Sequence, residues 1–275
     1  MPPKPRTYQP QKVRTALAAQ TGALRDAVRQ LCERPDAEQW LARPTRLGEW
    51  TVRELIAHLA VQLDFVPEHL DDPLEGRAPL DLPGWVAAVG TVAPLLDEQA
   101  RARAAGDFGG DAASVAQAFS RAADALTGLL DRPEAADLVR RFEIRLGSMT
   151  LADMLVTRLV ETVVHADDLA AALGLDGFPH DRQAVAAVTR LLADAFADRA
   201  PGGAVELRIP PYAVVQAVEG PRHTRGTPPN VVETDPLTWI RLATGRADWA
   251  AAVDAAVVSA SGERSDLREY LPVLG

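Results

Sequence analysis

Glu161 and His165 stand four residues apart in the run Arg158-Leu-Val-Glu161-Thr-Val-Val-His165-Ala-Asp-Asp168. On a helix that spacing stacks a carboxylate and an imidazole on one face, with Asp168 beside them. Such a pair can ligate a divalent metal ion, but two ligands do not make a site. His58, in Glu49-Trp50-Thr51-Val52-Arg53-Glu54-Leu55-Ile56-Ala57-His58-Leu59, is the third candidate. His58, Glu161 and His165 together would leave a coordination position for water or substrate, as catalytic sites do. Asp168 would orient a ligating imidazole or serve as a nearby catalytic base. The same spacing has a plainer reading, in which Glu161 pairs with Arg158 and His165 caps a core hydrogen bond.

The elements that must position these residues are legible. Thr51 reads as the N-cap of a helix and Glu54 completes a capping box, with Trp50 and Leu55 as a hydrophobic staple. His58 falls a turn further in, at the margin of the stripe Leu55, Leu59, Leu63 and Val66. Thr150 caps the helix that carries Glu161 and His165, with Asp153 as its reciprocal partner; Gly174 closes it after Leu173. At about 100° per residue, Leu151, Leu155, Leu159, Val163, Ala166 and Leu169 cover a wide apolar arc. Asp153 and Asp167 mark a wet edge. Arg158, Glu161, His165 and Asp168 form a separate polar strip that needs internal partners, because unpaired buried charge is costly.

Apolar spacing predicts a first helix over 11–33, stopped by Pro35. Cys32 reads as an inert core thiol. Residues 1–10 read as a loose arm and 71–83, with three prolines, as a loop. A third helix is expected over 85–105, perturbed by Gly90 and Pro94, and a fourth over 111–131. Residues 139–149 read as extended or irregular. A further helix over 181–199 ends at Pro201-Gly-Gly203. Beyond it the texture changes. Residues 205–209, 212–218, 231–233 and 257–260 read as strands. Asp235-Pro236 starts a helix that closes at Gly245, and a last short helix is expected over 265–274. The chain thus divides into an all-helical part, 1–199, and a small α+β part, 204–275.

Composition excludes several classes. The 275 residues are 47% hydrophobic and 24% charged, the balance of a water-soluble globular protein. A net charge of −9 argues against a nucleic-acid or anionic-membrane binder. No apolar run is long enough to span a bilayer and the N-terminus lacks a signal-peptide core, so a cytoplasmic location is expected. One cysteine excludes an internal disulfide and a Cys-rich zinc site. Lys4 and Lys12 are the only lysines against an arginine majority, a bias expected of a GC-rich genome. His69, His180 and His223 read as solvated loop residues. Arg222 and Arg225 flank the last of these.

The two stretches around His58 and Glu161/His165 resemble the mycothiol-dependent maleylpyruvate isomerase family. The likeness runs over Trp50-Thr51-Val-Arg-Glu-Leu-Ile-Ala-His58-Leu and over Arg158 to Gly174. It implies a DinB-like four-helix bundle with an extra helix, in which His58, Glu161 and His165 bind a divalent metal, taken as zinc. The segment Thr234-Asp-Pro-Leu-Thr-Trp-Ile-Arg-Leu-Ala-Thr-Gly245-Arg246, with Ala260-Ser-Gly262-Glu-Arg, is similar to a bacterial sterol-carrier-type (SCP2-like) domain. The family's C-terminal substrate arginine has Arg246 and Arg241 as its nearest counterparts, with Arg246 the cofactor-binding candidate; surface ion pairing is the alternative role of both. Mycothiol is an actinobacterial thiol, which agrees with the codon bias. The resemblance implies a thiol-activating isomerase or S-transferase. A non-enzymatic carrier of an apolar ligand and a folded relic without activity are the alternatives.

Overall fold

The computed structural model describes residues 7–132, 137–220 and 229–274. Its helices are α1 (Pro10–Cys32), α2 (Ala37–Leu41), α3 (Val52–His69), α4 (Leu82–Ala88), α5 (Ala93–Ala105), α6 (Ala112–Leu130), α7 (Leu151–Ala172), α8 (Arg182–Arg199), α9 (Pro236–Ala243) and α10 (Trp249–Asp254). Its strands are β1 (Arg141–Ile144), β2 (Gly147–Thr150), β3 (Val205–Ile209), β4 (Ala213–Ala217), β5 (Val231–Thr234) and β6 (Val258–Ser261). The chain forms two compact units. One comprises 1–81 with 92–184, the other 82–91 with 185–275. Among the described residues no helix is long and apolar enough to cross a membrane.

The first unit is a bundle. Helix α1 packs on α6 and α7, and α3 packs on α6 and α7 and also on α5, which is the extra helix. The apolar stripes expected from the sequence close the core: Leu17, Leu24, Leu55, Leu59, Leu63, Phe119, Leu126 and Leu159 are all fully buried. Burying each such side chain contributes about 1.5–3 kcal/mol relative to exposing it. The region 139–149 resolves into an antiparallel hairpin, with Arg141 opposite Thr150 and Ile144 opposite Gly147. Strand β2 therefore delivers the chain directly to Thr150, the cap of α7.

The second unit carries a four-stranded sheet in the order β4-β3-β5-β6. β3 and β4 form an antiparallel hairpin, β3 and β5 run parallel, and β5 and β6 run antiparallel. Asp235 caps α9 by accepting the Leu237 and Thr238 amides, and Pro236 opens the helix. The single helix expected over 85–105 is three pieces: α4, a 3-10 turn over Val89–Val92, and α5 with Pro94 in its first turn. The helix expected over 265–274 shrinks to a 3-10 turn, Arg268–Tyr270. Pro272 lacks the amide that would extend it.

Candidate metal centre

Two helix starts set the geometry of the site. The Thr51 hydroxyl accepts the Glu54 amide, and the Glu54 carboxylate accepts the Thr51 amide at 2.6 Å. This reciprocal box fixes where α3 begins, a cap worth about 1 kcal/mol, and so fixes the turn on which His58 lies. The Thr150 hydroxyl accepts the Asp153 amide at 3.1 Å. α7 then runs without a break past Glu161, His165 and Asp168 and is closed by Gly174 at φ +66°. That left-handed conformation suits glycine.

The three predicted ligands meet. His58 Nε2 lies 3.5 Å from Glu161 Oε2, and His165 Nε2 lies 3.3 Å from the same oxygen. One ligand atom from each residue falls within a cluster no wider than 4.8 Å. Donor atoms about 2.1 Å from one tetrahedral ion sit roughly 3.4 Å apart, so both separations to Glu161 suit a shared ion. The imidazoles of His58 and His165 meet edge to face with centroids 4.8 Å apart. His58 is 3% exposed and its Nε2 has no hydrogen-bond partner. An orphaned imidazole nitrogen in a protein interior is costly and asks for a partner. Two imidazoles and a carboxylate form a donor set of the catalytic zinc type.

A second layer orders the first. His165 Nδ1 lies 2.8 Å from Asp168 Oδ2, and Asp168 is completely buried. Arg46 donates through Nε to Asp168 at 2.6 Å and through Nη2 to Asp167 at 2.5 Å. Asp167 is thus a buried partner of Arg46 and not the wet edge that the helical wheel suggests. Trp50 packs its ring on His58, with centroids 4.9 Å apart, and donates its indole N–H to Asp97 at 2.5 Å. Arg158 does not pair with Glu161; it donates to the Gln62 side chain and to the Thr157 hydroxyl.

The electrostatics follow from this wiring. Burial opposes the Glu161 carboxylate, but His165 and His58, with Arg158 further off, hold its pKa well below the ordinary value. Burial likewise opposes the charged form of His165, but Asp168 and Glu161 raise its pKa. For His58 burial prevails and the pKa falls. The cluster therefore offers an ionised carboxylate, a neutral imidazole, and a second imidazole whose proton a metal ion would displace.

The remaining candidates have the following settings. Arg246 belongs to the second unit, where it donates to the Thr244 carbonyl at 2.6 Å, and Arg241 lies on α9 of that unit. His69 faces Asp72 at 2.7 Å. His180 is half-buried, with Nδ1 3.1 Å from the Gln20 side-chain amide, so the solvated position expected for it is not found. His223, Arg222 and Arg225 lie outside the described residues. Cys32 is half-buried rather than in the core, and burial pushes its thiol up to about 11. Arg46 and Gln62 have no signature in the sequence. Trp50 carried a signal only as part of the staple, and that signal concerned the helix start.

The fold has counterparts among known proteins. Residues 12–170 match the model of the mycothiol maleylpyruvate isomerase N-terminal domain, and residues 181–273 match that of the bacterial SCP ortholog. A crystal structure of the mycothiol-dependent maleylpyruvate isomerase superposes with a TM-score of 0.60 at 16% identity, covering 94% of this chain and 95% of that one. A histidine-to-alanine mutant of the mycothiol-dependent isomerase gives 0.58 at 15% identity, with the same coverage. These likenesses establish a shared fold. No curated protein matches the sequence significantly.

Proposed function

The chain belongs to the mycothiol maleylpyruvate isomerase N-terminal domain family, and from that premise we propose a metal-dependent enzyme that activates a low-molecular-weight thiol, mycothiol or a close analogue, for cis–trans isomerisation or S-transfer on a small substrate. The observation that carries this reading is the buried cluster of His58, Glu161 and His165 with its partnerless His58 Nε2. A divalent cation held there, zinc by its donor set, would lower the pKa of an arriving thiol so that the nucleophilic thiolate forms at neutral pH.

The chain's own residues prepare the site. Glu161 is kept ionised by its two imidazole neighbours and supplies a negative donor. His58, kept neutral by burial, presents a lone pair. Asp168 engages Nδ1 of His165 and so directs Nε2 toward Glu161. In this reading Asp168 orients the ligand, a role supported by its contacts to Arg46 through one oxygen and to His165 through the other. The helix positions beside the ligands, Leu55, Leu59, Val164 and Leu169, are buried and apolar.

Calorimetry tests the proposal. Mycothiol titrated into the zinc-loaded protein is expected to bind, and metal-stripped protein is expected to give no heat. Absence of binding by any thiol with zinc present would contradict the reading. Thiol balance then separates the two reactions, since an isomerase returns the thiol and an S-transferase consumes it. A second reading, a non-enzymatic carrier of an apolar ligand, rests on the match of residues 181–273 to the bacterial SCP ortholog. It predicts binding of an apolar ligand that is indifferent to metal.

A further inference from the structure

The segment 44–51 lies between α2 and α3, and none of its residues is a ligand candidate. It is nevertheless a tightly made piece of backbone. Pro44 and Thr51 form a bridge, and the Thr45 amide and hydroxyl both donate to the Trp50 carbonyl, at 2.8 and 2.9 Å. The Leu47 amide donates to the Thr45 hydroxyl. Within this closed turn Arg46 reaches α7 and Trp50 reaches His58 on α3. The segment thus touches the surroundings of both histidines, which lie on different helices.

We propose that Arg46 is a positioning residue for the metal centre, acting on His165 through Asp168. This inference rests on the reading that the cluster holds a metal. The geometry is particular to a guanidinium. Nε and Nη2, on one edge of the planar group, take adjacent carboxylates at 2.6 and 2.5 Å. Asp167 and Asp168 are neighbours on one helix with side chains 7% and 0% exposed. Two adjacent carboxylates at such burial repel each other, and the guanidinium that contacts both offsets that repulsion. Asp168 has one oxygen on Arg46 and the other on His165 Nδ1. Releasing the first removes a hydrogen bond that holds the carboxylate against the second. The imidazole would then lose the contact that fixes both its ring angle and the nitrogen that bears the proton. An ammonium in place of Arg46 keeps the charge and has donors for both acids, but it lacks the planar fork that meets them at fixed angles.

The test compares wild type with Arg46→Met and Arg46→Lys, each shown to be folded by near-UV circular dichroism. Two readouts are used. The first is nitrogen-15 NMR of the histidine side chains in metal-free protein, which reports the Nδ1 proton of His165 directly. The second is metal affinity together with the cobalt(II) absorption spectrum. Arg46→Met is expected to abolish the hydrogen-bonded Nδ1 signal of His165, to weaken metal binding about 10- to 100-fold, the usual effect of losing an outer partner, and to alter the cobalt spectrum. Arg46→Lys is expected to recover part of each. Unchanged His165 signals in folded Arg46→Met would overturn the proposal, whatever the metal does. Failure of wild type to bind any divalent metal would instead sink the underlying site reading, and the NMR comparison would still decide the role of Arg46. Should Arg46→Met not fold, Asp167→Asn with Arg46 intact serves as the second variant. Its His165 signal should persist, because the Arg46–Asp168 contact remains; loss of that signal would count against the direct path from Arg46 through Asp168.

Discussion

His58 Nε2 stops 3.5 Å short of Glu161 Oε2 and has no hydrogen-bond partner, although it is buried on α3 and faces a carboxylate on α7. A directly hydrogen-bonded pair would be closer by about half an ångström. The separation suits two donors that share an ion. Removing one of them should therefore act on metal binding first and on the fold second. Glu161→Gln keeps the shape of the side chain and removes its charge. It should lower zinc affinity by at least about 100-fold, more than loss of an outer-layer contact does, with little change in the helical circular dichroism. Wild-type affinity in Glu161→Gln would show that the carboxylate is not a ligand.

Metal binding should depend on pH through His165. Asp168 and Glu161 outweigh burial and raise its pKa above the ordinary imidazole value, so below that pKa the ring carries a proton that the metal must displace. Affinity should fall as the pH drops through the His165 pKa, by up to about tenfold per pH unit, and level off above it. His58, lowered by burial, is already neutral in this window and adds no slope there. Calorimetric titrations in buffers of different ionisation enthalpy measure the released proton. A binding constant that stays flat from weakly acidic to alkaline pH would contradict the assignment.

Trp50 should matter to the site as well as to the helix start. Its ring rests on His58 and its N–H is held by Asp97, which also accepts Arg101. Trp50→Leu removes the wall that fixes the His58 ring. The expected cost is about 2–4 kcal/mol of stability and about tenfold in zinc affinity, read from denaturant midpoints and competition with a chelating dye. A loss of stability with metal affinity intact would restrict Trp50 to packing.

These outer residues mark the limit of what the sequence discloses. Glu161 and His165 are readable because helical periodicity relates residues four apart, and His58 is readable because the capping box fixes its helix. Arg46 reaches Asp168 across 122 positions of sequence, and Trp50 reaches Asp97 across 47. No local pattern encodes either contact. The same reason explains Asp167, which is polar by type and buried by virtue of Arg46. Strands β3 to β6 are legible from β-branched runs bounded by turns, whereas the parallel pairing of β3 with β5 is a matter of topology. Helices α2 and α10, of five and six residues, are too short to show a period. The mutual support of propensity, caps and burial is clearest in α3 and α7, the two helices that carry the candidate ligands.

Gln20 offers a control on the same bundle. It is fully buried on α1, and its amide donates to the Thr162 carbonyl, lies 3.1 Å from His180 Nδ1, and accepts the Asp181 amide at 3.0 Å. Gln20→Leu should cost about 1–3 kcal/mol by leaving buried polar groups unpaired, and zinc affinity should be unchanged. A fall in metal affinity equal to that of the outer-layer variants would mean that all of these effects report stability alone.

Cys32 should be slow to react. Burial raises its thiol from 9.0 to about 11, with Arg53 opposing only in part. At pH 8 this leaves roughly a hundredfold less thiolate than an ordinary cysteine has. Alkylation by iodoacetamide should therefore be slow in native protein and normal in urea. Equal rates in the two states would show the thiol to be unperturbed, and would reopen it as a nucleophile.

The central claim is that His58, Glu161 and His165 hold one divalent metal ion. Elemental analysis of protein purified without a histidine tag tests it most directly, with His58→Ala prepared in parallel. The account predicts about one equivalent of divalent metal in wild type and a near-complete loss in His58→Ala. Less than about a tenth of an equivalent in wild type after incubation with zinc, unchanged by His58→Ala, would contradict it.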